Sequence, residues 1–308
     1  MDLKGRDFLT LADFSQDEIW YLLQLARDLK EKQKAGIPHE YLKGKTLAMI
    51  FQKASTRTRV SFEAAMYHLG GFPMFLSKND LQMGRGEPIE DTARVLSRYV
   101  DGIMIRTYSH KEVEALAHYA SVPVINGLTD DYHPTQALAD LLTIWEHKGT
   151  LAGLKLVYIG DGNNMAHSLL LGGALMGLEV VVASPEGYQP SAAVVKRAKA
   201  LAVDGEKIKV VIDPKEAVQE ADVLYTDVWA SMGQEEEAAI RKKALAQYQI
   251  NQELLKHAKR DAIVMHCLPA HRGEEITAEV MEGPQSAVFD EAENRLHAHK
   301  AILAAVIK

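Results

Sequence analysis

The run Ser55-Thr56-Arg57-Thr58-Arg59 sets hydroxyl and guanidinium groups between a short apolar stretch, Thr46 to Phe51, and a helix-patterned segment, Val60 to Leu69. The first turn of a helix has backbone N–H groups without intrahelical partners and carries the positive end of the dipole. An anion there meets donors that are already oriented. Basic side chains are unfavourable in that turn unless an anion offsets them, and Arg57 and Arg59 are two of them. The chemistry this run suits is phosphate binding. No Gly-x-x-x-x-Gly-Lys-Ser/Thr loop occurs in the chain, which favours a small phosphate compound over a nucleoside triphosphate. A capped helix with a solvated basic turn is the plainer alternative, and it leaves the arginines unexplained.

Four more clusters fall where apolar runs end. Arg106 closes the run from Gly102, and His133-Pro134-Thr135-Gln136 opens a long helical segment. Asp227, followed by Ser231-Met232-Gly233, comes after Val223 to Thr226, and His266-Cys267-Leu268-Pro269 closes the run from Ala262. By itself His133 reads as a satisfied histidine at a helix start, and Cys267 as a small buried hydrophobe. In company with the other clusters, both read as members of a site.

The elements that position these clusters alternate between strand-like and helical patterns from end to end, which is the signature of an α/β fold with parallel sheets covered by helices. Ser15-Gln16-Asp17-Glu18 is a capping box that opens a first helix. Strands are expected at 46–51, 72–76, 102–106 and 122–126, with helices at 57–69, 88–99 and 110–120, a polar loop at 79–88, and a bridging helix at 134–147. A second series of strands is expected at 155–159, 179–183, 207–212, 223–226 and 262–266. Two domains follow: 1–147 with a C-terminal helix, 291–308, packing back on it, and 148–290. Open α/β sheets bind ligands beyond the carboxyl ends of their strands, so the site is expected in the cleft between the two domains.

With 308 residues, 47% apolar and 25% charged, the composition is that of a soluble globular protein. A net charge of −7 argues against nucleic acid or an anionic membrane as partner, so the local arginines serve a small anion. One cysteine, Cys267, excludes an intramolecular disulfide and any multi-cysteine zinc site. Met1-Asp2-Leu3-Lys4 begins without an apolar signal region, and no stretch approaches the roughly 20 apolar residues of a membrane span, so a cytoplasmic location is expected. Gly160-Asp161-Gly162 after a strand invites a dinucleotide-binding reading, but Met165 occupies the place of the third glycine. A non-catalytic protein that binds a small phosphate metabolite is a third reading, with no need of Asp227 or Cys267.

Ser55-Thr56-Arg57-Thr58 with His133-Pro134-Thr135-Gln136 resembles the carbamoyltransferases, and Asp227, Ser231-Met232-Gly233 and His266-Cys267-Leu268-Pro269 resemble the ornithine branch of that family. The likeness extends to Glu291-Ala292-Glu293-Asn294-Arg295. It implies transfer of a carbamoyl group from carbamoyl phosphate to the side-chain amine of L-ornithine, giving L-citrulline and phosphate, a step of arginine metabolism. Putrescine or N-acetylornithine is the alternative acceptor. It implies that Ser55, Thr56, Arg57 and Thr58 hold the phosphate and that Arg106 reaches from phosphate to carbonyl. His133, Pro134, Thr135, Gln136, Cys267, Leu268 and Arg295 would surround the carbamoyl end, and Asn164, Asp227, Ser231 and Met232 would grip ornithine. Arg106, His133, Asp227 and Cys267 are the implied catalytic residues, Cys267 orienting the amine rather than attacking. Gln82 would reach the carbamoyl phosphate of a neighbouring subunit in a homotrimer or larger assembly of trimers. No cofactor or metal is required.

Overall fold

The computed structural model describes residues 1–308 apart from Asp80, Met232 and Gln234, and leaves the side chains of Arg85 and Glu235 undescribed. The chain divides into two compact units, Met1–Leu138 with Arg295–Lys308, and Ala139–Asn294.

The first unit begins with α1 (Gln16–Lys34), opened by the Ser15/Glu18 capping box, in which each side chain accepts from the other residue's backbone N–H. β1 (Thr46–Phe51), α2 (Thr56–His68), β2 (Phe72–Ser77), α3 (Ile89–Leu96), β3 (Gly102–Arg106), α4 (His110–Tyr119), β4 (Val124–Leu128) and α5 (Pro134–Lys148) follow. All strand pairs are parallel, in the order β2-β1-β3-β4. β1 and β3 are buried throughout or nearly so, which is why both read in the sequence as unbroken apolar runs. β4 starts two residues later than the sequence suggests because Pro123, having no N–H, stands before it and gives only its carbonyl, to Ile103.

The second unit takes in α5 from Ala139 onward, then β5 (Lys155–Ile159), α6 (Asn164–Leu175), β6 (Glu179–Ala183), α7 (Ala192–Leu201), β7 (Ile208–Val211) and α8 (Pro214–Ala217). Then come β8 (Val223–Thr226), α9 (Ala238–Leu245), α10 (Gln252–Leu255), β9 (Ile263–His266), α11 (Ala278–Met281) and α12 (Val288–Val306), whose last turns cluster with the first unit. The order is β7-β6-β5-β8-β9, again all parallel. In each sheet chain progress reverses direction at one place, between β1 and β3 and between β5 and β8. Such switch points open a crevice at the strand carboxyl ends. Among the described residues no helix is long and apolar enough to cross a membrane.

Lys300, on α12, is fully buried and donates to Leu29 O (3.0 Å), Gln33 Oε1 (2.8 Å) and His39 Nε2 (3.3 Å). Burial pulls its ammonium down from 10.5 to about 8, and its charge also weighs on His68 and His297. The folded state therefore binds this proton less tightly than the unfolded chain. The sign is that stability rises as pH climbs from about 8 toward 10.5, and the full cost of the buried charge is carried below about 8. Lys300→Met is expected to flatten that part of the stability profile, measured as denaturant midpoints across the window. An unchanged slope would show that other groups control it.

Candidate active site

In the first unit the site grows from the carboxyl ends of β1, β3 and β4. Ser55 caps α2 with extended backbone (φ −164°), its Oγ accepting from Thr58 N at 3.2 Å. Thr56 is exposed, Arg57 half-buried and Thr58 buried. Arg57 makes no side-chain hydrogen bond or ion pair among the described residues, whereas Arg59 bonds Glu63 at 3.0 Å and stacks on Phe75 at 3.7 Å. Of the two arginines in that turn, Arg57 is thus the one left for a ligand. Residues two apart on a helix face different ways, so the divergence is what the geometry demands.

Arg106 ends β3 where the register against β4 slips: Ile105 faces Asn126 but Arg106 faces Leu128, with Gly127 left over. A Cβ on Gly127 would lie 2.5 Å from Met104 Sδ and 3.2 Å from Ile105 O, so a larger residue at this bulge would have to displace the Met104 side chain. His133 precedes α5, its backbone carbonyl accepting from Ala137 N, with Pro134 as the first helical residue and Thr135 Oγ1 3.5 Å from His133 Nδ1. Arg295 ties the cluster together, giving Nη1 to Gln136 Oε1 (2.6 Å) and Nη2 to Thr58 Oγ1 (3.1 Å). Burial holds His133 well below its usual range, and the charges of Arg295, Arg106, His299 and Arg57 push the same way. The imidazole is neutral at physiological pH. Two helix N-termini, three arginines and a neutral imidazole gather hydrogen-bond donors and positive charge of the kind that suits an anion. Gln82, in the turn Gln82–Arg85, is exposed.

In the second unit the tight turn after β5 uses Gly160 at φ 133° and Gly162, where a Cβ would lie 2.2 Å from Pro190 N. Arg241 Nη1 meets Asp161 Oδ2 at 2.9 Å, and burial lifts Asp161 to about 6 against that pairing. Asn163 caps α6, and Asn164 is its first residue. Asp227, just past β8, accepts from Asn163 Nδ2 (2.8 Å), Val228 N (2.8 Å) and Cys267 Sγ (3.1 Å). Burial, then Asp227, drives the Cys267 thiol well above its usual range, so it stays protonated and donates. That is the wrong state for a nucleophile.

The His266–Pro269 turn is braced from behind. Leu268 N donates to His266 Nδ1 (2.9 Å), which leaves the ring proton on Nε2, donated to Glu275 Oε1 at 3.0 Å. Glu291, fully buried, accepts from His266 N (2.8 Å) and the Tyr225 hydroxyl (3.0 Å), and burial with nearby Asp140 raises it well above the usual carboxylate range. Leu268 itself holds φ 59°, a left-handed backbone costly for a side chain of its size. Ser231 is half-buried, and Met232 lies outside the described residues. Asp227, His266 and Cys267 bring potential metal donors within 4.8 Å of one another, but both ring nitrogens of His266 are committed. The sequence reading missed Asn163, Glu275 and Tyr225; for Asn163 a signal existed, since asparagine directly before a helix is a favoured cap.

Residues 6–146 match the family model for the carbamoyl-P binding domain of aspartate/ornithine carbamoyltransferase, and 152–306 match its Asp/Orn binding domain. The ornithine carbamoyltransferase of Pyrococcus abyssi is 61% identical over 100% of this chain and 97% of its own length. That of Anoxybacillus flavithermus is 62% identical over 100% and 98%. The solved ornithine carbamoyltransferase of Pyrococcus furiosus superposes with a TM-score of 0.97 at 60% identity, covering 100% of this chain and 98% of that one. The chain belongs to the aspartate/ornithine carbamoyltransferase family.

Proposed function

We infer that the protein is an ornithine carbamoyltransferase: it transfers the carbamoyl group of carbamoyl phosphate to the side-chain amine of L-ornithine, giving L-citrulline and phosphate. Full-length similarity to ornithine carbamoyltransferases carries this reading. On it, Ser55, Thr56, Arg57 and Thr58 hold the phosphate. Arg106, neutral His133 and Gln136, the last steadied by Arg295, polarise the carbonyl. Preorganised donors at a developing oxyanion lower the barrier by about 3 kcal/mol each. Asp227, Ser231, Met232 and Asn164 hold ornithine, and the Cys267 thiol with Asp227 orients its amine.

The neutral amine attacks the carbonyl carbon, the C–N bond forms, the C–O bond to phosphate breaks, and the amine's proton leaves with the phosphate. No covalent enzyme intermediate is needed, since carbamoyl phosphate is already activated. Calorimetric titration with carbamoyl phosphate followed by a citrulline assay tests the reading: binding without citrulline would leave a phosphate-binding protein. A cytoplasmic location belongs to the same proposal, in keeping with the single cysteine.

A homotrimer with shared sites is also proposed. Phe8 pairs with β4, but among the described residues β2 is an open sheet edge with Phe72 63% exposed, and α2 exposes Val60 (56%) and Tyr67 (78%) two turns apart. Apolar edges of this kind suit another copy of the chain. Gln82 would then reach a neighbour's carbamoyl phosphate. Mixed trimers of Arg57→Ala and Gln82→Ala chains are expected to regain activity, because about one site in three pairs an intact residue of each kind across a head-to-tail interface. Mixed trimers as inactive as both parents would refute the shared site.

A further inference from the structure

Asn163 is committed on both sides of its amide. Its Oδ1 accepts from Met165 N (2.9 Å), Ala166 N (3.3 Å) and the Tyr158 hydroxyl (3.1 Å), all of them donors. Its Nδ2 faces Asp227 Oδ2 at 2.8 Å, an acceptor. Flipping the amide would break every one of these contacts, so the orientation is fixed by its surroundings. Tyr158 is fully buried, and burial, then Asp227, raises its hydroxyl well above the usual range, which keeps it a donor.

Capping alone does not explain an asparagine here, since serine and aspartate cap helices about as well. What asparagine adds is an acceptor for the helix and a donor for the carboxylate in one short side chain. Aspartate would set two carboxylates against each other, and the serine hydroxyl is too short to span both. A carboxylate offers about four acceptor positions. Among the described residues, Asn163, Val228 and Cys267 take three on Asp227.

We propose that Asn163 is a positioning residue for the amine acceptor: it locks the Asp227 carboxylate between α6 and the Cys267 thiol so that its remaining acceptor position is presented to the amine of ornithine. The role rests on the ornithine carbamoyl transfer inferred above. It also couples the buried helix α6, all but its first and last residues buried, to the group proposed to grip the substrate.

The test compares the parent enzyme with Asn163→Ser and Asn163→Asp, both of which retain a helix-capping oxygen. Asn163→Ser is expected to raise the KM for ornithine on the order of tenfold to a hundredfold, the value of a hydrogen bond to a charged group, with carbamoyl phosphate affinity unchanged within about twofold. Asn163→Asp adds a like charge beside Asp227, which favours the ammonium form of bound ornithine. The alkaline inflection of kcat at saturating ornithine is expected to move up by about one pH unit. A helix cap alone would move neither quantity, so folded variants with parental ornithine KM and an unmoved inflection overturn the proposal. Should the variants not fold, Tyr158→Phe leaves the cap in place; an ornithine KM raised about threefold supports the role, and a parental KM overturns it. If the parent itself forms no citrulline, the functional reading fails and takes the proposal with it, an outcome distinct from a working parent with silent variants.

Discussion

Arg57→Ala is expected to lose carbamoyl phosphate affinity on the order of a hundredfold, equivalent to about 3 kcal/mol for a bidentate charge-assisted contact, while its thermal midpoint stays near that of the parent. The asymmetry follows from Arg57's lack of a side-chain hydrogen bond or ion pair among the described residues. Its removal breaks no side-chain hydrogen bond or ion pair among the described residues, and its charge opposes that of neighbouring His133's protonated form. Arg59→Ala, by contrast, removes the Glu63 pair and the Phe75 stack and should leave the affinity close to parental. Arg57→Lys should lose about tenfold, because a point charge cannot reproduce the planar fork that grips two phosphate oxygens. Calorimetry decides among these. Parental affinity in Arg57→Ala would remove the phosphate clamp from the account.

Asp227→Asn is the second large effect. It substitutes a neutral amide for the charge proposed to meet ornithine, and its NH2 group must face either the Asn163 amide or the Val228 and Cys267 donors. A loss of about a hundredfold or more in kcat/KM for ornithine is expected, with carbamoyl phosphate binding little altered. Cys267→Ser preserves a donor to Asp227 and should keep activity within about tenfold of the parent. An inactive serine variant that binds both substrates normally would favour covalent catalysis instead. Turnover at limiting ornithine should rise from neutral into mildly alkaline pH as the attacking amine loses its proton. A flat profile there would rule out amine attack as the controlling step.

The sequence made the strands legible where burial covers both faces. β1, β3, β5, β6 and β8 have the bounds their apolar runs suggested, and β4 moved because a proline interrupts pairing without interrupting apolarity. α3 was read too long: its last observed residue is Leu96, and the chain beyond it turns with Ser97 to Val100 before β3. Motifs brought the clusters into view, but not their wiring. Asn163 and Asp227 are separated by 64 residues, Tyr225 and Glu291 by 66, and Arg295 and Thr58 by 237, so no local pattern records those bonds. Arg59 pairs with Glu63 four residues on and stacks on Phe75 in β2, so of the two arginines in that turn it is the one engaged within the fold. Its direction could have been inferred, because a helix does not point residues two apart at one ligand.

The central claim is the identity of the carbamoyl acceptor. Purified protein given labelled carbamoyl phosphate with L-ornithine, putrescine and N-acetylornithine together lets the three amines compete for one donor. The expected result is label in L-citrulline and phosphate released in equal amount, with the other carbamoylated products at trace level. Label chiefly in the putrescine or N-acetylornithine product, or phosphate released without a carbamoylated amine, would contradict it.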